Sequence, residues 1–187
     1  GKMGYALARA AREAGAEVLL VSGPTALAAP YGVRRVDVQT AVQMQQAVLD
    51  NVAAQDIFIA VAAVADWRVT NVSTQKIKKD SADATPTLEF EANPDILAEV
   101  AALPPEQRPY CVGFAAESEQ LEEHSEAKRR RKNIPLLIGN IGHQTFGKDD
   151  NTLMLFDERG HTGLPRADKQ TLARQLVREI ATRMSKV

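Results

Sequence analysis

Apolar positions along this chain switch repeatedly between the period of a helix and that of a strand. Ala6, Leu7, Ala10, Ala11 and Ala14 recur at helical spacing, and Gly15 stands where a helix would stop. The run Glu17 to Ser22 is short and apolar, the form of a strand buried on both faces. A loop with Pro24 and Pro30 leads from Gly23 to Gly32, and Val33 to Val38 reads as a second strand. Thr40 can cap a helix to about Ala53, with Val42, Ala47, Val48 and Val52 on its buried side. Asp56 to Ala62 is the strongest strand signal in the chain. Residues 68–86 are polar with little periodicity, which is long for a structureless connection and predicts a functional flap.

Beyond the flap, Thr87 to Glu91 predicts a short strand. Asn93-Pro94-Asp95 opens a helix to Ala102, since Asn caps well and Pro suits a first turn. Pro104-Pro105 stops it. Tyr110 to Ala115 predicts a strand, Ser118 to Lys132 a helix, Leu136 to Gly139 a strand, and Asn151 to Phe156 a strand after a turn at Asp149-Asp150. Asp168 to Met184 closes the chain as a helix with Leu172, Leu176, Val177, Ile180 and Ala181 on one face. Strands alternating with helices predict an α/β fold, a mostly parallel sheet with helices on both faces plus a flap around residues 68–90.

Composition narrows the class. A chain of 187 residues makes one ordinary domain with a core. Hydrophobic residues at 44% and charged residues at 25% describe a globular, cytoplasmic protein rather than a disordered one. A formal net charge of −1 argues against a nucleic-acid coat. A single cysteine, Cys111, excludes an internal disulfide and a multi-cysteine zinc site, and no apolar run is long enough to span a membrane. The chain opens at Gly1 directly into a helical pattern and reads as a piece of something longer at its amino end.

In parallel sheets ligands bind outside the carboxyl ends of the strands. Candidates there are Ser22-Gly23, Ala62 to Asp66, Gly113 to Ala116 and Gly139-Asn140. Gly1 and Gly4 flank a helix start, where free N–H groups and the helix dipole favour an anion, although two glycines alone also suit a bare helix end. A nicotinamide cofactor would want an acid after the second strand and a Tyr with a Lys four residues on. The chain has Ser22-Gly23-Pro24 there, and Tyr5, Tyr31 and Tyr110 are followed by Arg9, Arg35 and Phe114. An NAD(P)-dependent oxidoreductase is therefore disfavoured, while a non-catalytic nucleotide-binding fragment stays open. Ala62-Ala63 would let a planar ring lie on backbone, and Asp66 could hold a base, a ribose or a metal ion, or be a turn residue. Lys76, Lys78 and Lys79 could close over an anion or be solvated. The helix 118–132 carries acids early and Lys128 to Lys132 late, as its dipole favours, with Lys128 and Lys132 on one face. His124, His143 and His161 form no metal pattern, and Cys111 sits in an apolar strand.

Six segments in order resemble phosphopantothenoylcysteine synthetase, the bacterial phosphopantothenate–cysteine ligase of coenzyme A biosynthesis. They are Gly1 to Gly4, Ala62 to Arg68, Lys76 to Lys79, Asn93 to Ile96, Val112 to Glu117 and Phe146 to Asn151. The resemblance implies a Rossmann-like fold and a homodimer, with the 68–90 flap at the dimer contact. It implies that CTP, with Mg²⁺, activates the carboxylate of 4′-phosphopantothenate as an acyl-cytidylate, releasing pyrophosphate, and that the amine of L-cysteine then displaces CMP. On the same basis Ala60, Val61, Ala62, Asp66, Lys76, Pro94, Asp95, Ile96, Leu97, Phe114, Lys128 and Lys132 fall on CTP-contacting positions, with Lys76 as the catalytic candidate. The family also carries a first strand and an Asn-containing loop before its Gly-Lys-Met-Gly, which this chain lacks, and often follows a flavin-dependent decarboxylase in one polypeptide.

Overall fold

The computed structural model describes residues 1–73, 75, 87–117, 120–141 and 150–185. Helix α1 (Lys2–Glu13) opens the chain, followed by β1 (Leu19–Ser22), β2 (Arg34–Asp37), α2 (Ala41–Val52) and β3 (Ile57–Ala60). Then come β4 (Trp67–Val69), β5 (Phe90–Ala92), α3 (Ile96–Ala101), β6 (Tyr110–Glu117), α4 (Leu121–Arg131) and β7 (Leu136–Ile141). A hairpin of β8 (Asp150–Asp157) and β9 (Gly160–Asp168) leads into the last helix, α5 (Lys169–Met184).

Five strands form the central sheet in the order β3-β6-β7-β8-β9. The pairs β3–β6 and β6–β7 are parallel, and β7–β8 and β8–β9 antiparallel. β1 and β2 make a separate parallel pair, with Leu19 opposite Arg34. Side chains alternate across the sheet as the pleat requires. Val112, Leu136, Ile138, Leu153 and Leu155 face one core with Leu7 of α1 and Leu172, Leu176 and Ile180 of α5. Cys111, Ala115, Leu137 and Phe156 face the other, against Val48 and Val52 of α2 and Leu97 and Val100 of α3, with Leu121 of α4 packed at its margin. Helices thus cover both faces, as the alternating pattern predicts.

The local signals act where the sequence places them. Gly15 takes a φ of 94° and ends α1, with the amides of Gly15 and Ala16 returning to the carbonyls of Arg12 and Ala11. Thr40 and Gln43 cap α2 reciprocally. Helix α4 ends in the same way as α1, the amides of Asn133 and Ile134 bonding the carbonyls of Arg130 and Arg129, and Asn133 takes a φ of 50°. Gly113 is required for space: a Cβ there would lie 2.8 Å from both Ile134 and Leu97.

Three expectations are corrected. The strand predicted from Asp56 to Ala62 spans only Ile57–Ala60, because the chain leaves the sheet at Val61 and exposes Ala62 and Ala63. At the flap, the strand expected over Thr87 to Glu91 is β5 at Phe90–Ala92, and it pairs antiparallel with β4, where the sequence predicts no strand, with Arg68 opposite Glu91. Residues 160–168, read as no element, form β9, whose turn is set by the amide of Arg159 on Asp157 Oδ1 at 2.8 Å and by Gly160 at a φ of 121°. The Asp149-Asp150 turn and the helix start at Ser118 lie outside the described residues, apart from Asp150, which begins β8.

Candidate functional site

The carboxyl ends of β3 and β6 bring most of the candidate residues together. Helix α1 begins beside the end of β3: a Cβ on Gly4 would meet Val61 at 3.8 Å. Ala60 lies opposite Gly113 in the β3–β6 register, which puts Phe114 one residue further along the neighbouring strand. Phe114 is half-buried and packs against the α1/α5 core, so it borders the site rather than standing in it. Ala62 and Asp66 are exposed beyond the strand end.

Asn93 stitches this strand end to α3. Its backbone amide bonds the carbonyl of Asp66 at 2.8 Å, and its side-chain amide donates to the carbonyl of Ala65 at 2.8 Å. Pro94 follows and cannot donate, so the chain stays extended before it. Asp95, and not Asn93 as the sequence leads one to expect, then caps α3, accepting from the amide of Ala98 at 3.1 Å, so Pro94 stands before the helix rather than in its first turn. Ile96 and Leu97 are buried in the core, so only their backbone is placed to meet a ligand.

Lys132 closes the arrangement from α4. Its ammonium donates to both oxygens of Asp95, at 2.7 and 2.6 Å, and its side chain is only 14% exposed. Burial is the largest single influence on Asp95 and pushes its carboxyl up. The hydrogen bonds from Lys132 and Ala98, with the charges of Lys132 and Arg131, together outweigh it and hold the group below the ordinary carboxylate range. Lys128, one turn earlier, is half-buried on the same face, whereas Arg130 is exposed and pairs with Glu126 at 2.6 Å. Glu126 also receives Arg129, first among the causes that lower its carboxyl to about 2.

A buried polar chain supports α1 from behind. Arg35 donates to the Tyr5 hydroxyl at 3.2 Å, and that hydroxyl lies 2.8 Å from Ser22 Oγ. Ser22 in turn donates to the carbonyl of Gly23 at 2.9 Å, and Arg35 also holds the carbonyl of Leu27 at 2.8 Å. The sequence marks the Ser22-Gly23 strand end and the Asn93 to Ile96 segment as candidates, but shows neither the Tyr5–Ser22–Arg35 network nor a ligand-contacting role for Asn93. A serine at the end of an apolar strand was the signal for Ser22, and the Asn-Pro-Asp spacing the signal for Asn93; the contacts themselves come only from packing.

Lys76 and its neighbours Lys78 and Lys79 lie outside the described residues, as do Phe146 to Asp149. No cluster of three His, Cys, Asp or Glu side chains able to hold a metal occurs among the described residues. Asp66 by itself suits an ion carried by a ligand's phosphates, which needs one or two carboxylates from the protein. Cys111 is buried, its thiol pushed up to about 11 by burial, and donates to the carbonyl of Pro109 at 3.4 Å, which marks it as inert. No described helix is long and apolar enough to cross a membrane.

Residues 1–184 match the family described as DNA/pantothenate metabolism flavoprotein C-terminal domain. The chain is 48% identical over 187 residues to the coenzyme A biosynthesis bifunctional protein CoaBC of Escherichia coli (strain K12). That alignment covers 98% of this chain and 46% of the relative, so the chain spans about half the relative's length. Among solved structures, the C-terminal domain of a CoaBC protein matches with a TM-score of 0.82 at 33% identity, covering 100% of this chain and 84% of that one. A Cab2 mutant in complex with phosphopantothenate-cysteine shares the fold alone, at a TM-score of 0.65 and 16% identity, covering 83% of this chain and 54% of that one.

Proposed function

The chain belongs to the DNA/pantothenate metabolism flavoprotein C-terminal domain family, and from that premise we propose that it is a CTP-dependent ligase joining 4′-phosphopantothenate to L-cysteine in coenzyme A biosynthesis. The observation that carries this reading is the convergence at one sheet edge. The start of α1 lies beside Val61, Asp66 is tied to Asn93, and a half-buried Lys132 sits on Asp95. Such a place offers exposed backbone for a base, amides for phosphate and an ammonium in partly dehydrated surroundings, where Coulomb terms exceed their value in open water.

The reaction balances without a protein nucleophile. A carboxylate oxygen of phosphopantothenate attacks the α-phosphorus of CTP, and the bond to the β-phosphate oxygen breaks to release pyrophosphate. The cysteine amine then attacks the acyl carbon, loses a proton to solvent and expels CMP. Lys132 and Lys128 would bind the phosphates and stabilise the charge that builds on them, with Lys76 as the candidate that closes over the reacting group. Mg²⁺ held by the nucleotide and by Asp66 would supply further neutralisation of phosphate charge.

The arm built by β4 and β5 exposes Trp67 at 64% and Phe90 at 60%, an apolar pair we read as a contact between two copies of the chain. The bifunctional relative is consistent with fusion to a flavin-dependent decarboxylase. The test is pyrophosphate release from CTP, phosphopantothenate and cysteine, together with CTP, ATP and GTP thermal shifts. Pyrophosphate formation that needs both acceptor substrates, with the largest shift from CTP, sustains the reading. CTP binding without pyrophosphate would instead describe a nucleotide-binding module.

A further inference from the structure

Two segments that the proposed function assigns to the nucleotide, residues 60–66 and 94–97, are far apart in the chain and share no strand pairing. Residues 61–66 carry no regular hydrogen bonding of their own after β3 ends at Ala60. Their position therefore rests on what holds them from outside, and the contacts converge on one side chain. The Asn93 amide donates from Nδ2 to the carbonyl of Ala65 at 2.8 Å and accepts at Oδ1 from Arg68 Nη1 at 3.2 Å. Arg68 is itself fixed, donating to the carbonyl of Ala92 at 2.8 Å and pairing with Glu91 at 2.7 Å. The backbone amide of Asn93 completes the clamp on Asp66 at 2.8 Å. Two residues on, Asp95 caps α3 and holds Lys132.

We propose that Asn93 is a positioning residue for this site: its side-chain amide, oriented by Arg68, holds the Ala65-Asp66 turn in register with the Pro94–Leu97 segment so that the two halves meet one nucleotide. The chemistry required is that of an amide, with a donor on one arm and an acceptor on the other. An aspartate at this place would set a second oxygen against the carbonyl of Ala65. An alanine would leave that carbonyl and the Arg68 donor without their partner. Nucleotide binding would then have to order the turn itself, at the expense of affinity and not of the chemical step. This inference rests on the ligase reading for the identity of the ligand, but the clamp is a property of the fold.

The experiment compares Asn93→Asp and Asn93→Ala with the unsubstituted protein, in the natural full-length chain, by pyrophosphate release, thermal melting and amide hydrogen exchange. The expected result is a KM for CTP raised about threefold to tenfold, the scale of one lost hydrogen bond whose freed carbonyl can still meet water. The kcat should stay within about twofold, because a binding and not a transition-state contact is lost. Exchange should quicken across residues 61–69 and not in β6 or β7. An unchanged KM overturns the proposal. So does a loss of kcat that merely follows a lowered melting temperature, which would describe a structural residue. If Asn93→Asp does not fold, Asn93→Ala, which adds no charge, carries the same comparison. If the unsubstituted protein neither binds CTP nor releases pyrophosphate, the ligase reading fails by itself. Exchange then decides the clamp: local quickening in the variants sustains it, and an unchanged pattern overturns it.

Discussion

Charge at single positions in α4 divides by direction. Lys132 is half-buried on Asp95 and Lys128 shares its face, while Arg130 stands in solvent beside Glu126. Lys132→Ala should weaken CTP binding about tenfold or more, in line with about 1.5–3 kcal/mol for a hydrogen bond to a charged group. Lys128→Ala should act in the same direction, and Arg130→Ala should leave affinity nearly intact while lowering the melting temperature slightly. Calorimetric titration with CTP ranks the three. Glu126 makes a second residue-scale prediction. Its carboxyl sits at about 2 in the fold against an ordinary 4.5, so its contribution is complete above 4.5 and disappears as pH falls toward 2. Glu126→Gln should therefore flatten the melting temperature across that acid window. At neutral pH the cost should not exceed about 3 °C, because solvent screens the pair. A melting series from pH 2 to 7 reads both.

Elements are where the sequence was most and least legible. Helices α1, α2 and α5 and strands β6 and β7 follow from apolar period and caps, because each buries a continuous face against the sheet. β9 escaped because it lies at the sheet edge: only Leu164 of its nine residues is buried, so no alternation shows. β4 escaped because a three-residue strand carries too few positions to display a period, whereas β5, at Phe90–Ala92, falls at the end of the strand expected over Thr87 to Glu91, and the pairing of the two is set by Arg68 and Glu91 across the arm. The same limit applies to the site. Glycine, small residues and Lys132 were visible singly, but the Lys132–Asp95 and Asn93–Ala65 contacts join residues 37 and 28 positions apart, which only packing brings together. One element-scale prediction follows from Gly113, midway along β6. Gly113→Ala would press a methyl against Leu97 and Ile134 at 2.8 Å. The overpacking should cost about 1–3 kcal/mol in urea unfolding and shift α3, so that CTP affinity falls with stability.

At the scale of the whole molecule, the buried thiol of Cys111 turns the protein into its own clock. It is the one cysteine of the chain, seated in β6 between strands on both sides, with its pKa pushed up to about 11. A thiol reagent can reach it only when the middle of the sheet opens, so the modification rate at high reagent concentration counts openings directly, without any added probe. The rate should be slow in buffer and rise with urea in step with unfolding. Saturating CTP at 100 times its dissociation constant should retard it about 100-fold if the opening that exposes the sulfur also dissolves the nucleotide site. Retardation much smaller than that would show the sheet centre breathing while the ligand stays seated. A single mass-spectrometric time course would thus report whether sheet and site form one cooperative unit or two.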